Sequence, residues 1–135
     1  MRYPLATYSR AHFIALIGIV LFFLGGGVAH FWLSPWFVAI VPDYIPTPVL
    51  AVAVSGACEI LGAIGLLMPR TRRAAGIGLL LLIVAVFPAN VFMAQHPERF
   101  DVFPLWALYL RLPLQLVLLA WVGYAMRRAG LATSL

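Results

Sequence analysis

The sequence predicts an all-α integral membrane protein, a four-transmembrane-helix bundle with an interfacial helix in the first outer loop. Three observations predict it. Hydrophobic residues make up 64% of the chain and charged residues 10%, against about 45–50% and about 25% in soluble domains. The apolar residues fall into four runs, about 11–33, 48–68, 74–94 and 104–126, each matching the about 20 helical residues that cross a hydrocarbon core of ~30 Å. Period-2 alternation is absent, which argues against a β-barrel. Within lipid the backbone must satisfy its own hydrogen bonds, so the runs are helices. The 135 residues form a single transmembrane domain, 1–135.

The first run follows Arg10, and Gly27 with Ala29 resembles a cleavage site. The run is long for a signal-peptide core and is expected to stay as a span. Gly25, Gly26 and Gly27 lie one turn below His30 and weaken the helix, giving room for a bend or a close ligand. The loop "WLSPWFVAIVPDYIPTP" carries Pro35, Pro42, Pro46 and Pro48. Its Trp32, Trp36, Phe37 and Tyr44 suit the headgroup level. It reads as a short helix on the outer surface, ended by prolines, and either a collar or a lid over a cavity between the helices.

The second run offers Ser55, Gly56, Gly62, Ala63 and Gly65, which let a neighbouring helix approach. Cys58 is the single cysteine, so no intrachain disulfide or dithiol chemistry is available, and it reads as a small packing residue. "PRTRR" is a tight turn into the third run, and "QHPERFDVFP" is the most polar outer loop. Pro88 and Pro113 interrupt the third and fourth runs, each removing a backbone hydrogen bond near a polar residue.

Orientation follows from arginine, since all nine basic residues are Arg. Arg2, Arg10, Arg70, Arg72, Arg73, Arg127 and Arg128 share one side and Arg99 lies on the other. The positive-inside rule makes both termini cytoplasmic. Asp43, Glu98 and Asp101 fall outside. The net charge of +5 therefore reflects topology and does not imply a nucleic-acid partner.

The candidate site comes from polar residues within the runs. His30 and Asn90 lie about one turn from the outer ends of their spans. Glu59 lies roughly 16 Å deep and Arg111 roughly 10 Å deep at 1.5 Å per residue, with Gln115 one turn beyond Arg111. A lone charge at mid-membrane costs at least ~2.5–3.5 kcal/mol on insertion scales. Opposite charges at nearby depths are therefore expected to pair, so Glu59 and Arg111 read as a buried ion pair with Gln115 and Asn90 adding hydrogen bonds. Such a pair serves either architecture or a ligand or proton site. A bis-His haem from His30 and His96 is disfavoured by their different levels. Triads, phosphate loops and zinc spacings are absent from the sequence. So is a second polar layer in the cytoplasmic half, which counts against a transport path.

The segments "SGACEILGAIGLLMPRTRRAAGIGLL", "VFPANVFMA", "LRLPLQ" and "HFWLSPWFVAIVPDYIPTP" resemble the DoxX family of small four-helix bacterial membrane proteins. The resemblance runs from about Ala11 to Trp121. It implies location in the bacterial inner membrane. The family is named for a subunit of an archaeal thiosulfate:quinone oxidoreductase, and relatives are linked to thiol and oxidative-stress systems. A redox role beside a quinone pool, in complex with another protein, is implied, with Glu59, Asn90, Arg111 and Gln115 at family-like motif positions.

Three functional expectations follow. The leading one is an accessory or assembly subunit of a larger, redox-linked membrane complex, with other membrane subunits or further copies of the chain as partners. The second is a quinone-binding oxidoreductase subunit with Glu59 and Arg111 at the quinone carbonyls. The third is transport of a small solute or proton through the Glu59 site.

Overall fold

A computed structural model describes residues 8–127 and is all-helical over them. Helix α1 spans Arg10–Trp32, α2 Ser34–Ala39, α3 Pro48–Leu67, α4 Arg72–Gln95 and α5 Leu105–Ala125, with a 3₁₀ turn at Pro97–Arg99. α1, α3, α4 and α5 are long and apolar enough to cross a membrane. Their ends fall within two residues of the expected runs. Arg2 and Arg128, which enter the orientation reading, lie outside the described residues.

Local chemistry sets each boundary. The Ser9 side chain accepts the His12 backbone N–H at 3.1 Å and caps α1. α3 opens on Pro48, whose fixed φ suits the first helical position. Its end is held from outside the helix, because the Thr71 hydroxyl donates to the Gly65 carbonyl at 2.9 Å and Arg72 Nε to the Leu66 carbonyl at 2.7 Å. The three glycines from Gly25 to Gly27 stay helical, and none of the described residues has positive φ. α4 and α5 continue through Pro88 and Pro113 without ending.

The four long helices close a ring in the order α1, α3, α4, α5, with α5 returning to α1. Neighbours are antiparallel: Gly26 and Gly27 of α1 meet Glu59 and Gly56 of α3, and Gly62 and Gly65 meet Leu79 and Ala75 of α4. At the seam between α1 and α5, the Trp121 indole N–H donates to the Ala15 carbonyl at 2.8 Å, and its ring covers Gly18. The small residues of α3 thus receive neighbours on two sides, as their spacing suggests. Cys58 departs from its expected packing role and lies exposed on α3. The inward positions there are taken by Gly56, Ala63 and Gly65.

An apolar core built from Leu16, Ile19, Phe23, Leu66, Leu79 and Val122 fills the ring toward the end where the described chain begins and finishes. Toward the other end a smaller cluster of Phe92, Met93, Phe100 and Leu108 packs with Ile40. Leu61, Leu81 and Leu116 point outward and are exposed, so the outer surface of the ring is strongly apolar.

Candidate functional site

Between the two clusters lies a cavity of about 690 Å³. Its floor is apolar and includes Phe23 and Ile83. All five candidate residues line it: His30 from α1, Glu59 from α3, Asn90 from α4, and Arg111 and Gln115 from α5. Depth along the spans had suggested this grouping, and the ring brings it about.

The expected direct ion pair between Glu59 and Arg111 is not formed. The base–acid contacts within 4 Å among the described residues are His30–Glu59, His96–Glu98 and Arg99–Asp43, and Arg111 is in none of them. The reason is ring order. α3 and α5 are diagonal, and with neighbouring axes 8–10 Å apart a diagonal is roughly 11–14 Å. Glu59 and Arg111 therefore stand on opposite walls. Glu59 turns to α1, where Gly26 and Gly27 let its side chain lie against the helix backbone.

His30 organises that wall. Its Nδ1 is 2.7 Å from the Gly26 carbonyl, which can only accept, so Nδ1 carries the proton. The Ser55 hydroxyl then donates to Nε2 at 3.4 Å. Glu59 Oε2 lies 3.3 Å from Nδ1 but to the side of the N–H direction, and it receives no hydrogen bond. The side chains of His30 and Glu59 are 12% and 14% exposed. The Phe37 ring of α2 stacks on His30 with centroids 4.0 Å apart. This ring contact was not foreseen, although Phe37 had been placed in the loop read as a collar or lid.

The opposite wall differs in kind. Gln115 is 6% exposed, and its Nε2 donates to the Ile83 carbonyl at 3.1 Å. That carbonyl is one residue before Val84, which loses its helical partner because Pro88 has no N–H. With Nε2 committed, Gln115 Oε1 is buried without a donor. Gln115 and Asn90 therefore do not serve the His30–Glu59 pair. Arg111 is half-buried. The arginines that donate side-chain hydrogen bonds among the described residues are Arg72 and Arg99, and Arg111 is not among them.

The segment after α1 crosses the cavity's mouth. Phe37, Val41, Tyr44 and Ile45 line it, and Ile40 packs on the far cluster. Arg99 Nη1 reaches Asp43 Oδ2 at 3.1 Å and ties the segment between α2 and α3 to the one between α4 and α5. Of the two readings of this loop, the lining residues favour the lid.

At the opposite end sits a polar layer that hydropathy and spacing had not revealed. Arg72 is 4% exposed, donates to the Leu66 and Leu67 carbonyls and to the Tyr8 hydroxyl, and lies over the Tyr8 ring. His12, 8% exposed, lies between Tyr8 and Tyr124 with Nε2 unpartnered. The absence of a second polar layer thus no longer counts against transport, but the apolar core between the two layers does. Among the described residues no group of three or more His, Cys, Asp or Glu side chains is arranged to hold a metal.

No curated protein and no solved structure matches the chain. A family profile does match, over residues 19–126, a stretch that contains every residue lining the cavity. The chain belongs to that family, described as Domain of unknown function (DUF8561).

Proposed function

We propose that the chain is a DoxX-like four-helix bundle of the bacterial inner membrane that binds a lipid-soluble small molecule of the quinone class, as a subunit of a larger redox-linked complex. The termini lie in the cytoplasm and α2 lies at the outer surface. The arginine asymmetry supports this orientation, and the outward apolar side chains of α1, α3, α4 and α5 suit lipid contact.

The observation that carries the binding role is Arg111. An arginine without an ion-pair partner in an apolar wall is expensive, and such residues mark functional sites in membranes. Here it shares a cavity of about 690 Å³ with Phe22, Phe37 and Tyr44 and with the His30–Glu59 wall. Ligand cavities are usually 300–1,000 Å³ and mostly apolar, with a few convergent polar groups. The residues fit a quinone-class molecule. Arg111 and Asn90 provide donors for ring oxygens. Aromatic and aliphatic walls suit a ring and its tail.

When bound, such a molecule supplies two-electron, two-proton redox chemistry. The chain's own residues bind and orient it. Phe37 and the segment to Ile45 exclude water from above, and the close approach of Gly26 and Gly27 leaves room for the Glu59 carboxyl against the wall. Electrons have no carrier in the motifs of this chain, which is the reason for the complex. Transport is less favoured because Ile19, Phe23 and Leu79 close the path below the cavity.

The test is a titration of the purified protein in lipid nanodiscs with a decyl-tailed benzoquinone. Saturable binding is expected, and Arg111→Ala should weaken it by about tenfold or more while helix content is kept, because a hydrogen bond to a charged group contributes about 1.5–3 kcal/mol. Non-saturable uptake by the wild type, or equal affinity in the variant, would overturn the reading.

A further inference from the structure

We infer that the α4–α5 seam carries a binding site for the phosphate of an anionic phospholipid, at the end of the ring where the described chain begins and finishes. A groove of about 490 Å³ lies there, lined by Arg73 of α4, Gly123 and Met126 at the end of α5, and Arg127 just beyond. It shares no residue with the Arg111 cavity. Local packing builds it. The Met126 side chain closes on Gly76 and holds α4 against α5 at this level. A Cβ on Gly123 would meet nothing within 4 Å, so the groove stays open beside it.

Charge decides the occupant. The side-chain carboxylates of the chain are Asp43, Glu98 and Asp101 at the opposite end and Glu59 in the cavity wall. Among the described residues, the arginines that donate side-chain hydrogen bonds or pair with an acid are Arg72 and Arg99, not Arg73 or Arg127. Two exposed guanidinium groups thus line one groove, and the chain has no carboxylate side chain at this end to neutralise them. Each is a planar fork that matches phosphate oxygens.

Depth selects the source of the phosphate. Arg73 is the second residue of α4 and Arg127 the second after α5, so both sit where the spans meet the headgroups. Ile77, one turn from Arg73, and Leu116, two turns from Gly123, are exposed and apolar. They offer acyl chains a surface that a free phosphate would leave unused. Basic pockets between transmembrane helices hold anionic headgroups in this way.

The experiment is native mass spectrometry of the intact protein in neutral detergent. It is titrated with phosphatidylglycerol, with phosphatidylcholine of the same acyl chains, and with phosphatidylglycerol in excess inorganic phosphate. Phosphatidylglycerol should bind about tenfold tighter or more than phosphatidylcholine, and inorganic phosphate should not displace it. Arg73→Gln with Arg127→Gln should remove the preference. Arg10→Gln with Arg70→Gln removes the same charge from the same end but outside the groove, and should keep it. Gly123→Leu, which places a side chain in the groove without changing charge, should weaken phosphatidylglycerol binding. Equal affinity for the two lipids, an equal loss in both arginine pairs, or no effect of Gly123→Leu would overturn the site. Displacement by inorganic phosphate would overturn the lipid as its occupant.

Discussion

Arg72→Ala is expected to destabilise the protein by about 3 kcal/mol, one of the largest effects of any single substitution outside the cavity. Arg72 is nearly inaccessible and spends its guanidinium on three partners, the Leu66 carbonyl at 2.7 Å, the Leu67 carbonyl at 3.3 Å and the Tyr8 hydroxyl. The two carbonyls belong to the last turn of α3, where no helical N–H remains to satisfy them. Charge-assisted bonds contribute about 1.5–3 kcal/mol each, and alanine would leave the carbonyls bare. Arg72→Lys should recover little, because one ammonium cannot span the fork of acceptors that a planar guanidinium meets. Thermal unfolding in detergent measures both variants. A loss below about 1 kcal/mol for alanine, or full recovery with lysine, would remove the capping account.

Gly27→Ala is expected to destabilise by up to about 3 kcal/mol and to abolish ligand binding, whereas Gly25→Ala should be harmless. A Cβ on Gly27 would sit 2.6 Å from Ile60 Cγ1 and 2.8 Å from the Gly56 carbonyl oxygen. The second obstacle is backbone and cannot swing away. The change must push α1 and α3 apart, one turn from His30 and beside Glu59, so the wall that holds the carboxyl opens. Overpacking of this kind typically costs 1–3 kcal/mol. A Cβ on Gly25 meets nothing within 4 Å, and alanine is the better helix former by about 1 kcal/mol. Unfolding and titration of the two variants side by side give the comparison. Similar behaviour of both would mean that α1 and α3 are not in close contact at Gly27.

Both predictions concern residues that the sequence exposed to different degrees. The spans were legible because hydrocarbon thickness fixes their length, and Pro48, Pro104 and the "PRTRR" turn punctuate them. Gly56 and Gly65 were legible as approach points because small residues have few other uses in lipid-facing helices. The level of the site was legible too, since rise per residue converts position to depth.

Partner choice was not legible. Depth suggested Arg111 as the partner of Glu59, and only the ring order decides that α1 with His30 is its neighbour and α5 its diagonal. Nothing in hydropathy encodes that order. Arg72 was hidden for another reason. At a span boundary an arginine reads as a topology charge, although its position five residues after the end of α3 at Leu67 also allows it to reach back to the last carbonyls. Phe37 was placed in the correct loop, but its stacking on His30 depends on how the short helix α2 folds back over α1 and α3.

The central claim is that the cavity holds a lipid-soluble ligand between Arg111 and the His30–Glu59 wall. Native mass spectrometry of the protein released gently from its own membrane tests it most directly, alongside Ala89→Phe, which adds a ring at a residue of α4 that lines the cavity and leaves the charged residues in place. The account predicts a non-covalent adduct of quinone-class mass on the wild type and its loss in Ala89→Phe. A bare wild-type mass, or an adduct that Ala89→Phe leaves in place, would contradict it.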